Sequence, residues 1–198
     1  TLCIMQLLPN NGKIKSGLIK LNGKELTSLN KKEIREYRGK KMGMIFQEPM
    51  TALNPLLTIG YQMRESIMLH RHVSKQEANK IAIDYLNKVG IAKPESRLKQ
   101  YPFQLSGGLR QRILIAMVLS VKPDLVIADE PTTALDVTIQ KQVLVLLNQL
   151  KSEINAGVLF ITHDLGVVAE IADRVVVLYA GRKVEEGTTS QIFNNPKH

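Results

Sequence analysis

Leu125-Val126-Ile127-Ala128-Asp129-Glu130-Pro131 is the stretch on which the fold turns. Its apolar residues show no polar alternation, so they read as a short strand covered by helices on both faces. Further on, Val137–Ile154 carries apolar residues at helical spacing (Ile139, Val143, Leu146, Leu147, Leu150, Ile154), and Val158–Thr162 is a second short apolar run. Strand, long helix and strand at these lengths make a parallel crossover unit. The predicted fold class is therefore α/β with a parallel sheet core. Ligands of such sheets bind beyond the carboxyl ends of the strands, which is where Asp129 and Glu130 fall. Pro131 disfavours helical φ/ψ in the residue before it, so Glu130 is expected to be extended. Taken alone, the two acids read better as solvated carboxylates at a strand end.

Upstream, Ser106-Gly107-Gly108 precedes the apolar helix Leu109–Leu119. A helix amino terminus bared by small residues offers free N–H groups and positive dipole to an anion. An ordinary serine N-cap accounts for the same letters. From Glu48 to Gln100 the pattern is helical. Ser74 with Glu77 suggests a capping box, followed by Ala78, Ile81, Ala82, Tyr85, Leu86 and Val89 at helical spacing and by Gly90 as a stop. Ile59–His70, through Met63, Ile67 and Met68, is the expected partner, which makes this region an inserted helical subdomain. Met42–Phe46 suits a buried strand with Gln47 at its exit. Asn22-Gly23, between Leu18–Leu21 and Lys24–Leu26, is a tight hairpin signal. Arg174–Tyr179 and Lys183–Glu186 around Ala180-Gly181 predict a second hairpin. Thr1–Leu8 reads as the end of an apolar helix halted by Pro9, and nothing before it caps that helix. The protein is therefore expected to extend upstream of Thr1.

Hydrophobic residues make up 44% and charged residues 23% of the 198, ordinary values for a globular protein with one sizeable core. No apolar run approaches the ~20 residues that span a bilayer. Thr1–Leu8 has neither the basic start nor the cleavage site of a signal peptide. The lone cysteine, Cys3, excludes an internal disulfide and fits a reducing compartment. Between Lys13 and Lys41 ten Lys/Arg stand against three Glu, which accounts for seven of the nine net positive charges. Solvated lysines explain this segment plainly; a face near anionic lipid or an acidic partner is the sharper alternative. Tyr37 is its only aromatic, so nucleic acid finds little to stack on, and no nucleic-acid partner is expected.

Four pieces occur in a fixed order: Gln104-Leu105-Ser106-Gly107-Gly108-Leu109-Arg110-Gln111-Arg112, then Leu125–Pro131, then Ala134-Leu135-Asp136, then Ile161-Thr162-His163-Asp164. Together they resemble the second half of an ABC-type ATPase, a P-loop NTPase-like fold with an inserted helical subdomain and a small antiparallel part. Phe46–Pro55, Ala128–Thr138 and His163–Ala169 are most similar to the ATP-binding subunits of oligopeptide, dipeptide and nickel importers. The resemblance implies ATP and Mg²⁺ as cofactors. It implies that Asp129 holds Mg²⁺, Glu130 polarises the attacking water, and His163 contacts the γ-phosphate and orients Glu130. Gln47 would touch Mg²⁺ or the water, though a lone glutamine after a strand is commonly unremarkable. Ser106, Gly107 and Gly108 would meet the nucleotide held by a second ATPase subunit. Asp136 fits the loop crossing that dimer seam and equally an N-cap for the next helix. The implied division is 1–47 and 123–198 for the ATPase core and 48–122 for the helical subdomain.

The implied partners are transmembrane permease subunits, a homo- or heterodimeric second ATPase and, indirectly, an external solute-binding protein. The implied address is the cytoplasmic face of the membrane. Leu109 and Phe103 stand where relatives often carry glutamine and histidine. No G-x-x-x-x-G-K-[ST] occurs in the sequence. That loop and an adenine-stacking aromatic are expected upstream of Thr1, and a carboxy-terminal extension beyond His198. ATPase heads of DNA-repair and chromosome-organising proteins share the Ser-Gly-Gly helix and the acidic strand. They carry a long coiled coil between their halves, whereas here 59 positions separate Gln47 from Ser106 without sustained heptads. A non-catalytic scaffold is the third alternative; the intact Asp129, Glu130 and His163 speak against it.

Overall fold

The computed structural model describes residues 1–48, 52–133 and 137–198. Two units divide the chain, Thr1–Leu159 and Phe160–His198.

The first unit is built round a sheet with strand order β3-β4-β5: β3 (Met42–Ile45), β4 (Leu125–Asp129) and β5 (Gly157–Ile161), the last of which runs into the second unit. β3 and β4 pair in parallel, Met42 opposite Leu125 and Ile45 opposite Ala128. Every residue of β3 is buried, as are Val126, Ile127 and Ala128. β5 departs from the expectation of a strand covered on both faces, since Leu159 is 38% exposed and none of its residues is fully buried. Ahead of the sheet lie α1 (Leu2–Met5) and the pair β1 (Lys20–Leu21) and β2 (Lys24–Glu25). The hairpin forms where Asn22-Gly23 predicts it, with φ of +49° and +79° at the two turn residues. α2 (Lys31–Tyr37) follows under a complete Asn30/Glu33 capping box.

The helical region comprises α3 (Ile59–Arg71), α4 (Lys75–Lys88), α5 (Pro94–Arg97) and α6 (Gly107–Ser120). Ser74 Oγ accepts from Glu77 N at 3.2 Å, the serine half of the expected box. Ala78, Ala82, Tyr85, Leu86 and Val89 are buried with Met63 and Ile67. Met68 is not, at 39% exposed. It lies one residue beyond Ile67, about 100° round the helix and off the contact stripe. Gly90 takes φ +71° as the stop. α6 packs on α3, α4, β3 and α7 (Val137–Ile154), so an apolar stripe would not suffice, and from Ile113 to Leu119 it is hydrophobic all round. α7 occupies the residues that its periodicity predicts.

In the second unit, α8 (Leu165–Ile171) is capped by Asp164, whose Oδ1 accepts from Gly166 N at 2.8 Å. β6 (Arg174–Tyr179) and β7 (Arg182–Thr188) form the predicted antiparallel hairpin, turning at Ala180-Gly181 with φ of +47° and +76°. α9 (Thr189–Asn194) packs on that hairpin and on α8. Among the described residues no helix is long and apolar enough to cross a membrane.

Candidate functional site at the end of β4

β4 delivers Asp129 and Glu130 to the carboxyl end of the parallel pair because Val126, Ile127 and Ala128 are locked in the core behind them. Asp129 Oδ2 accepts from Thr1 Oγ1 at 2.9 Å. The Glu130 carboxylate is gripped from two sides. Gln47 Nε2, at the exit of β3, donates to Glu130 Oε2 at 2.9 Å. Thr133 Oγ1 donates to the same oxygen at 3.0 Å. Two motifs 83 residues apart in sequence thus meet at one atom.

The expected extended backbone at Glu130 is not found. Its φ is +47°, in the left-handed region. β4 ends at Asp129 and the chain turns at once, Thr133 N donating to Glu130 O at 3.3 Å. The turn wins over the pre-proline preference because the carboxylate and the Pro131 carbonyl are each held by partners outside it. Gln111 of α6 supplies the second hold, donating from Nε2 to Pro131 O at 2.6 Å.

Ser106 caps α6, its Oγ accepting from Leu109 N at 3.4 Å. A Cβ added at Gly107 would meet nothing within 4 Å, so the first turn is open on that side. One at Gly108 would come 3.1 Å from Ile139 Cγ2, which ties the helix end to α7. The α6 amino end is therefore open beside Gly107, while Leu109 N is taken by the Ser106 cap; a helix start of this kind suits an anion. His163 belongs to the second unit, exposed between Ile161 at the end of β5 and the Asp164 cap. Asp136 lies outside the described residues.

Thr133 and Gln111 escaped the sequence reading. Thr133 is one of two adjacent threonines, and nothing local says which faces the acid. Gln111 stands between Arg110 and Arg112, in a polar triplet that gives no local sign that the glutamine alone is fully buried. Among the described residues no group of three or more His, Cys, Asp or Glu converges as a metal cage. One carboxylate oxygen donor set of the Asp129 kind nonetheless fits Mg²⁺, which binds through one or two carboxylates and completes its shell with water and phosphate oxygens.

Comparisons with known proteins bear on the family and the fold. Residues 2–133 match the family described as ABC transporter. The chain is 53% identical over 196 residues to the oligopeptide transport ATP-binding protein OppD of Bacillus subtilis, covering 98% of this chain and 55% of that protein. It is equally 53% identical to the dipeptide transport ATP-binding protein DppD of the same organism, covering 98% and 58%. The chain thus spans a little over half the length of these curated relatives. Among solved structures it is similar to the ATP-binding cassette MJ0796 in a dimeric, post-hydrolysis state bound to ADP and Pi, with TM-score 0.82 and 28% identity over 95% of this chain and 78% of that one. It is also similar to cbiO1 of Clostridium perfringens, part of the transporter complex cbiONQ, with TM-score 0.80 and 26% identity over 98% and 73%. A carboxylate pair at the end of a parallel strand, met by a glutamine from the neighbouring strand, is thus set in an ABC cassette fold, and the chain belongs to the ABC transporter family.

Proposed function

We propose that the protein is the ATP-hydrolysing subunit of an importer, driving uptake of peptides through a membrane permease from the cytoplasmic face. The observation that carries this reading is the contact of Gln47 Nε2 with Glu130 Oε2. It joins the residue at the exit of β3 to the acid best placed to polarise an attacking water. Glu130 takes the water's proton as general base, and its hold by Gln47 and Thr133 restricts the carboxylate to one orientation. Asp129 is the residue that would hold Mg²⁺; the bound ion neutralises charge on the phosphates during transfer. Ser106, Gly107 and Gly108 offer their helix end to the nucleotide of a second ATPase subunit, and MJ0796, a similar cassette, is a dimer. His163 contributes a γ-phosphate contact. Residues 1–47 and 123–198 serve as the ATPase core and 48–122 as the helical arm that meets the permease. Peptides rather than nickel are the favoured cargo, since the relatives named above transport oligopeptides and dipeptides.

The test is the full-length protein reconstituted with its permease. Glu130→Gln is expected to retain ATP binding and to slow hydrolysis at least ~100-fold, as loss of a positioned base does. Near-normal turnover would remove Glu130 from this role. Uptake of radiolabelled oligopeptide, with labelled nickel measured in parallel, decides the cargo; transport of nickel alone would overturn the peptide assignment.

A further inference from the structure

Gln111 is 1% exposed, set in α6 among Ile113, Leu114, Ile115 and Ala116, all of them buried. Its Nε2 donates to the carbonyl immediately after Glu130, that of Pro131, at 2.6 Å. Its Oε1 is buried with no partner among the described residues. Burying a primary amide with one acceptor unmet is costly, and leucine or methionine would fill the same space without that cost. The amide's one contact falls on the turn that gives Glu130 its φ of +47°. Gln47 holds only the carboxylate; Thr133 also closes the turn from within, its N donating to Glu130 O at 3.3 Å, but neither anchors the backbone of that turn to a neighbouring element. Gln111 does so from the same helix, and lies one turn below Gly107 and Gly108, so the helix end and the acid are joined by rigid structure.

We infer that Gln111 is a positioning residue for hydrolysis: through the Pro131 carbonyl it fixes the turn that aims the Glu130 carboxylate. This rests on the reading of Glu130 as the hydrolytic base. Two variants of the full-length ATPase test it, each made with and without Glu130→Gln. Gln111→Met keeps the volume and loses the donor. Gln111→Glu is nearly isosteric and donates only when protonated, as burial favours.

Gln111→Met is expected to lower kcat about tenfold, the scale of one lost positioning hydrogen bond, with KM and equilibrium ATP binding changed less than about twofold. In the Glu130→Gln background the same change should add nothing to single-turnover hydrolysis, because the group it acts through is gone. Gln111→Glu should recover activity relative to the parent protein as the pH is lowered. Unchanged kcat in a folded Gln111→Met protein would overturn the proposal. So would an undiminished tenfold loss in the Glu130→Gln background, or a parallel loss of ATP affinity, each of which marks a merely structural role. Should Gln111→Met fail to fold by circular dichroism, the pH dependence of Gln111→Glu decides, and a flat ratio to the parent overturns it. Normal turnover by Glu130→Gln alone is the distinct signature that the Glu130 reading itself has failed.

Discussion

At Glu130 a non-glycine residue holds φ +47° directly before a proline, a combination that costs about 1–3 kcal/mol. Its carboxylate receives hydrogen bonds from Gln47 and Thr133, and bonds to a charged group contribute about 1.5–3 kcal/mol each when well shielded from water. The site is open to solvent, so each is worth less here, and the pair roughly offsets the strain. Removing one donor should therefore loosen the acid more than it unfolds the protein. Gln47→Leu in the full-length protein is expected to cut hydrolysis about tenfold while lowering folding stability by no more than ~1 kcal/mol. Steady-state turnover alongside urea unfolding would check this, and a large stability loss with normal turnover would contradict it. The acid pair itself was legible, because a strand that ends in two carboxylates is a local pattern. The sign of φ was not, since the proline argued for one backbone and distant partners held another.

Among the elements, the contact of α3 with the segment between α2 and β3 is tight enough to test. Gly39 sits at φ +81°, and a Cβ added there would come 2.1 Å from His70 Nε2. Gly39→Ala should therefore destabilise the protein by about 1–3 kcal/mol, combining backbone strain with overpacking. Adding His70→Ala should return the steric part in urea melts. His70 is also held below its ordinary value of 6.5, by burial first and then by the charges of His72 and Lys40. The unfolded chain then takes up this proton before the folded protein does. The stability tied to neutral His70 is full above pH 6.5 and is lost as the pH falls through that value toward the folded pKa. Wild type should lose more stability between pH 7.5 and 5.5 than His70→Gln, by urea midpoints at the two values. An equal loss in both would show that other groups carry the acid sensitivity. The periodicities of α4 and α7 were legible from sequence because a stripe at helical spacing records which face is covered. The exposure of Met68 was not, since Ile67 and Met68 are adjacent and only the packed neighbours decide which of the two lies on the contact stripe.

For the chain as a whole, phosphate binding in P-loop ATPases depends on a glycine-rich loop with its lysine and a hydroxyl ligand to Mg²⁺. Residues 1–198 contain no such loop, and the α6 helix end would serve the nucleotide of a second subunit. Titration calorimetry of residues 1–198 alone with Mg-ATP is expected to show no binding at micromolar concentration; a micromolar Kd would mean that the nucleotide site has been misplaced. The sequence by itself determined the family, the order of the motifs, both hairpin turns, the span of α7 and the placing of Asp129 and Glu130 at the end of a parallel strand. Each of these depends on residues close in the chain or on short patterns that few folds share. Only the tertiary structure decided that Gln47 and Thr133 hold one oxygen of Glu130, that Gln111 reaches the Pro131 carbonyl, and that His70 closes on Gly39. Most of these contacts join residues far apart in the chain, and even the short Thr133 contact depends on the Glu130 backbone that they hold. Their geometry follows from how α3, α6, β3 and β4 pack, which no local pattern of residues encodes.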